Sequence, residues 1–79
     1  MVSELQLEID VYLKKIEEKL PGWLKENAKT KADVLMELEE HIWDKIDELA
    51  QDQKPTLRHV RLAIAEMGSP TQIAREFKK

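Results

Sequence analysis

The chain has 79 residues, of which 42% are apolar, and a formal net charge of −3. This length allows one modest core, so residues 1–79 are expected to form a single domain. The absence of cysteine excludes disulfides, thiolate metal sites and cysteine nucleophiles. The sequence contains neither a long apolar run nor a signal-peptide pattern, so we expect a soluble polypeptide in the reducing cytoplasm.

The charges are unevenly distributed. Residues 1–53 carry 7 basic and 14 acidic side chains, whereas residues 54–79 carry 6 basic and 2 acidic ones. The corresponding net charges are −7 and +4. Any anionic partner would therefore meet the C-terminal third.

A first helix is predicted to begin at Ser3, which could form a capping box with Gln6. It should end at Leu20, because Pro21 disfavours helical geometry in the residue before it. The apolar residues of this segment share an arc of about 100°, which is typical of a helix docked by one face. They are Val2, Leu5, Ile9, Tyr12, Leu13, Ile16 and Leu20.

A second, long helix is predicted from about Trp23 to Gln51. Its weak point is residues 26–30, where Thr30 and Asp33 could form a capping box and restart the helix. The apolar residues on both sides of this segment stay in phase, which favours one continuous, at most bent, helix. They are Leu24, Ala28, Ala32 and Leu35.

Two shorter helices are predicted after a polar connection. Thr56 is a suitable N-cap for a third helix over Leu57–Met67, and Gly68 should stop it. Ser69 should cap a short fourth helix, with Pro70 in its first position. Since no alternating strand pattern occurs, the predicted fold is all-α, a compact bundle of four helices with one long central helix and a short C-terminal one.

The in-phase apolar residues of the four helices should form one contiguous core. These are Leu5, Ile9, Ile16, Leu35, Leu38, Ile42, Ile46, Leu49, Val60, Ile64, Ile73 and Phe77.

Glu39 falls within the apolar arc of the long helix, where an unpaired carboxylate would be unfavourable. One hypothesis is a structural tie, in which Glu39 accepts hydrogen bonds at the start of the fourth helix near Ser69, with Arg61 or Arg75 as the alternative partner. The other hypothesis is that Glu39 reaches the rim of the bundle and stays hydrated.

The residues do not indicate an enzyme. A carboxylate-bridged di-iron site would need Glu three residues before His41, where this chain has Leu38. Ser3 and Ser69 are explained as helix caps, and no base is evident for either. We therefore predict no catalytic residue, metal, cofactor or small-molecule substrate, and we expect His41 to be a structural boundary residue paired with a charged neighbour on its helix.

Some apolar residues exceed what one small core would cover. We predict that they form an interaction surface for a second copy of the chain or for a membrane-embedded part of a longer protein. The alternative for the pair on the first helix is an ordinary set of isolated surface aliphatics. The residues concerned are Leu7, Val11, Met36, Trp43 and Leu62, while Trp23 and Trp43 are also expected as core or rim aromatics.

Three segments carry a resemblance to a known family. They are Glu37-Leu-Glu-Glu-His-Ile-Trp-Asp44, Ala65-Glu-Met-Gly-Ser-Pro70 and Ile73-Ala-Arg-Glu-Phe-Lys78. Over residues 9–79 the chain resembles the HAAS domain (helix-turn-helix-associated α-helical signalling domain) and the related permease prefix domain. These families usually have a glycine after the long helix, where this chain has residues 52–55, Asp-Gln-Lys-Pro.

The resemblance implies a non-enzymatic signalling or interaction module, commonly the cytosolic N-terminal domain of a multi-spanning membrane protein or permease and often encoded beside PadR-type regulators. Arg75, Lys78 and Lys79 would suit a membrane-proximal or anion-facing position by the positive-inside rule. The alternative is a helix-turn-helix-like DNA-binding protein that uses the basic C-terminal third. The net negative charge and a short second helix that starts with Pro70 make nucleic acid the less favoured partner.

Overall fold

The computed structural model describes residues 3–77, so the predictions for Val2, Lys78 and Lys79 lie outside the described residues. Within residues 3–77 the regular structure is entirely helical, which confirms the all-α class. The helices are α1 (Glu4–Lys19), α2 (Gly22–Lys25), α3 (Ala28–Ala50), α4 (Leu57–Met67) and α5 (Pro70–Arg75).

The N-terminal cap of α1 forms as predicted, but the capping box is incomplete. Ser3 Oγ accepts a hydrogen bond of 3.1 Å from the Gln6 backbone N–H. The Gln6 side chain instead donates to Asp10 and Glu39. At the other end, Leu20 is extended with ψ 151° ahead of Pro21, as the sequence predicted.

The prediction of one continuous helix from Trp23 to Gln51 is wrong, because the chain leaves helical geometry at Asn27, with φ −101° and ψ 90°. The Asn27 side chain accepts a hydrogen bond of 3.2 Å from the Thr30 backbone N–H and so caps α3. Phase alone did not reveal this break, since α2 is a single turn whose Leu24 still reaches the core. The bundle therefore has five helices.

The connection after α3 contains a strained residue. Gln51 has φ 53° and ψ −122°, and it is the only non-glycine residue with positive φ in the described part of the chain. The Gln53 N–H donates to the Ala50 carbonyl at 2.9 Å, so residues 50–53 form a turn of the II′ type. Glycine adopts this conformation most readily, and Gln51 directly precedes residues 52–55, the segment that stands where the resembling families usually have a glycine.

The turn between α4 and α5 follows the sequence prediction closely. Gly68 has φ 107° and ends α4. Ser69 Oγ accepts from the Gln72 N–H at 3.2 Å, and Gln72 Oε1 accepts from the Ser69 N–H at 3.0 Å. This complete capping box starts α5 with Pro70 in its first turn.

The helices pack around one core, with α3 against α1, α2 and α4, and with α5 against α1. Every residue of the predicted core is either buried or packed against the buried cluster. The second half of α3 lies in the centre, whereas Val34, Leu35 and Leu38 in its first half are only half-buried. The cluster also contains residues that the predicted set omitted, namely Tyr12, Leu13, Leu20, Leu24, Ala63 and Ala74.

Candidate interaction grooves

A groove of about 400 Å³ lies where α3, α4 and α5 meet, and we call it the α3–α4–α5 groove. Each of the three sequence segments that carry the family resemblance contributes to its lining. The lining residues are Val34, Glu37, Leu38, His41, Lys45, Glu66, Met67, Ile73, Glu76 and Phe77.

The floor of the α3–α4–α5 groove is apolar. Ile73 is buried, and the other four apolar lining residues are half-buried and pack against the core. Because a half-buried side chain still presents apolar area to water, covering this floor would be favourable. These four are Val34, Leu38, Met67 and Phe77.

The rim of the α3–α4–α5 groove is predominantly acidic. Glu37, Glu66 and Glu76 surround it, against one ammonium group, that of Lys45. Lys45 Nζ lies 3.7 Å from a Glu66 carboxylate oxygen, so this ammonium is already partly neutralised. The surplus of carboxylates favours a cationic ligand at the rim.

His41, predicted as a boundary residue, is exposed and lies on the rim between α3 and α5. The predicted pairing of His41 with a charged neighbour on its helix is wrong, because within residues 3–77 its ring forms neither a hydrogen bond nor an ion pair, although Glu37 and Lys45 line the same groove. The imidazole is therefore available to a ligand of the groove.

A buried tyrosine contacts the turn between α4 and α5, the two shorter helices that line the groove. The Tyr12 hydroxyl on α1 donates a hydrogen bond of 2.6 Å to the carbonyl oxygen of Gly68. Burial of the Tyr12 side chain raises the pKa of its phenol above the ordinary value of 10.0. The sequence placed Tyr12 on the core face of α1, and its hydroxyl therefore needed a partner, but the sequence did not indicate which one.

The predicted tie between Glu39 and Ser69 is wrong. The half-buried Glu39 carboxylate accepts a hydrogen bond of 3.1 Å from Gln6 Nε2 on α1. The alternative partner Arg61 instead lies 3.9 Å from Glu8. The reason is that Glu39 faces α1, whereas Ser69 is engaged in its own capping box.

A family model described as HAAS matches residues 12–76. The chain belongs to the HAAS family. No curated protein and no solved structure matches the chain. The matched range begins at Tyr12 and contains every residue that lines the α3–α4–α5 groove except Phe77.

The predicted interaction surface of this HAAS domain is largely exposed. The exposed fractions are 58% for Leu7, 47% for Val11, 61% for Met36 and 45% for Leu62. Trp43 differs, because it is half-buried and packs against the core. Trp23, expected in the core or at its rim, is 57% exposed.

These exposed apolar residues lie on different parts of the HAAS domain. Leu7 and Val11 flank a groove of about 310 Å³ beside α4, while Met36 lines a groove between α3 and α1. Leu62 lies about 160° from the buried Val60 around α4 and so points away from the core. The sequence identified exposed residues but could not show how they are grouped.

Two of the basic residues named for the DNA-binding alternative have different surroundings in the HAAS domain. Arg75 lines a groove of about 250 Å³ with Lys19 and Thr71, while Arg61 lies beside Glu8 on α1. Helix α5 has six residues, which leaves little length for reading base edges in a major groove.

Residues 3–77 of this HAAS domain hold no cluster of three or more acidic or histidine side chains arranged to bind a metal ion. In the same range, none of the helices is both long enough and apolar enough to cross a membrane.

Proposed function

We propose that this HAAS domain is a non-enzymatic interaction module that binds an amphipathic basic helix of a protein partner in the α3–α4–α5 groove. The observation that carries this proposal is the convergence of the three family-like segments on one groove with an apolar floor and an acidic rim.

The shape of the groove supports a helical ligand. Its walls are themselves helices, and its volume of about 400 Å³ suits a few apolar side chains from one face of an incoming helix. Such a helix would present anchors at positions i, i+3 or i+4, and i+7. Lysine or arginine at the edges of that face would meet Glu37 and Glu76, which are exposed.

The chemistry of the lining supports binding over catalysis. His41 is an available imidazole, but no serine, threonine, cysteine or tyrosine lines the groove with it. Acyl transfer by a serine, threonine or cysteine would need such a nucleophile within hydrogen-bond reach of the base. The same groove therefore supports recognition and gives no basis for this type of covalent catalysis.

We further propose that the domain is a signalling module at the cytosolic face of a membrane protein, as the resemblance to the permease prefix domain implies. The support is the family resemblance and the group of basic residues Arg75, Lys78 and Lys79. The reading frame that follows Lys79 in the gene tests this part. A long hydrophobic segment would support it, whereas a stop codon directly after Lys79 would contradict it and leave a soluble partner.

The binding proposal can be tested by photo-crosslinking in the producing cells. A photoreactive amino acid at His41 should yield an adduct with one protein, and peptide mapping should place the adduct on an amphipathic basic helix. The control is the same amino acid at Lys29, which is exposed on α3 about 18 Å along the helix from His41. No adduct at His41, or the same adducts at both positions, would contradict the proposal.

A further inference from the structure

We infer that the outer face of α1 is a homodimer contact, in which the residues Glu4, Leu7, Val11 and Lys14 pair with the same residues of a second copy in antiparallel orientation. We call these four residues the α1 stripe. This inference goes beyond the proposed function and concerns a different surface from the α3–α4–α5 groove.

The α1 stripe has the spacing of a helix–helix seam. Its members follow one another at intervals of three, four and three residues, so they lie on one line along α1. Leu7 and Val11 each lie about 160° from the fully buried Ile9, and the stripe therefore points away from the core. All four residues are exposed, so a second helix has access to them.

The order of charges along the α1 stripe identifies the partner as a second copy of the chain. An acidic residue stands at the N-terminal end, a basic residue at the C-terminal end, and two aliphatic residues between them. In an antiparallel pair, Leu7 of each copy faces Val11 of the other, while Glu4 faces Lys14. The stripe is therefore complementary to itself about a two-fold axis, which is the condition for an isologous dimer.

A parallel pairing of the stripe is disfavoured because it would place Glu4 against Glu4 and Lys14 against Lys14. The antiparallel pairing brings the two copies of Glu8, on one flank of the stripe, and the two copies of Asp10, on the other flank, towards each other. Each Asp10 carboxylate accepts a hydrogen bond of 2.9 Å from Gln6 Nε2 of its own copy. Each Glu8 carboxylate already has Arg61 of its own copy at 3.9 Å, which reduces their mutual repulsion.

One helix face buries less than the roughly 1,200 Å² of total area that stable complexes require, so the isolated domain should dimerise weakly. The contact would become effective where two copies are held close together, because tethering raises their effective concentration.

Sedimentation equilibrium of the 79-residue chain from micromolar to millimolar concentration tests the inference. The wild type should show a monomer–dimer equilibrium. Either single reversal, Lys14→Glu or Glu4→Lys, turns two attractive pairs into two repulsive ones and should weaken dimerisation about tenfold. The double variant Glu4→Lys/Lys14→Glu should restore it.

The control is Lys29→Glu, which reverses an exposed charge on α3 away from the α1 stripe and should leave the dimer unchanged. Thermal melting of each variant shows whether its fold is retained. A wild type that stays monomeric at millimolar concentration, or a dimer that the single reversals leave intact, would overturn the inference. Loss of the dimer leaves crosslinking at His41 unaffected, so the inference and the proposed function fail separately.

Discussion

Tyr12 on α1 and Gly68 at the end of α4 are joined by a hydrogen bond of 2.6 Å, although they lie 56 residues apart in the chain. Gly68 directly precedes Ser69, the N-cap of α5. This hydrogen bond therefore links α1 to the turn that joins α4 to α5, the two shorter helices that line the α3–α4–α5 groove.

Replacement of Tyr12 by phenylalanine tests the importance of this bond. The ring would keep its place in the core, but the Gly68 carbonyl would lose its donor. We expect the free energy of unfolding at neutral pH to fall by about 0.5–1.5 kcal/mol. Urea denaturation followed by circular dichroism measures it, and an unchanged midpoint would show that the carbonyl is equally well satisfied without Tyr12.

The same residue should make the domain sensitive to alkaline pH. Burial raises the pKa of Tyr12 in the folded state above the value of 10.0 that it has when exposed. The folded state thus holds the proton more tightly, and the resulting stability is fully present below the unfolded-state pKa. It is lost as pH rises through the folded-state pKa.

This dependence can be isolated because Tyr12 is the only tyrosine of the chain. Phenolate absorbance should titrate above pH 10.0 in the folded protein and near that value in urea. The difference in unfolding free energy between wild type and Tyr12→Phe should shrink as pH rises through the same range. A folded-state titration at or below the unfolded one would contradict the assignment.

The two glycines of the chain should respond to alanine in opposite ways. Gly68 has φ 107°, and an added Cβ would lie 3.0 Å from Gln72 Oε1, which completes the α5 cap. Gly68→Ala should therefore destabilise the domain by about 1–3 kcal/mol. Gly22 has open space around it and begins α2, so Gly22→Ala should be neutral or stabilise by up to about 1 kcal/mol. Equal thermal stabilities of the two variants would contradict this account.

Gln51 offers a way to stabilise the domain. Its φ of 53° and ψ of −122° suit glycine, so Gln51→Gly should relieve strain and raise the unfolding free energy by about 0.5–2 kcal/mol. The matched control is Gln53→Gly in the same turn, where φ is not positive and the added backbone freedom should slightly destabilise. Chemical denaturation would refute the strain assignment if both variants lost stability alike.

The helices and the core followed from local rules that the sequence expresses directly. Ser3 and Ser69 each cap a helix with their side chains where capping preferences place them, Thr56 directly precedes α4 as predicted, and Gly68 ends α4. The core was predictable because apolar periodicity specifies which side of each helix must be buried. The break at Asn27 was not predictable in this way, since the apolar residues on both sides of it remain in phase. One side-chain hydrogen bond decides where α3 begins.

The candidate site was harder to predict from the sequence, because it depends on which helices are neighbours. Glu39 was recognised as an unusual carboxylate, but its partner Gln6 lies 33 residues away on α1. Likewise, His41 and Phe77 line the same groove although they lie 36 residues apart in the chain. Periodicity predicts the face of a helix, whereas the partner of that face is set by tertiary packing.

The proposed recognition of a basic helix is tested most directly by titrating the isotopically labelled domain with two designed peptides and following its amide resonances by NMR. The peptides share one apolar stripe and differ in carrying lysine or glutamate beside it. We expect changes in the amide chemical shifts of Leu38, Met67 and Phe77, with about tenfold tighter binding of the lysine peptide.

The double variant Glu37→Lys/Glu76→Lys should abolish this preference, whereas Glu48→Lys, which is exposed on α3 outside the groove, should preserve it. Equal affinity for both peptides, or chemical-shift changes confined to residues outside the α3–α4–α5 groove, would contradict the recognition of a basic helix in this groove.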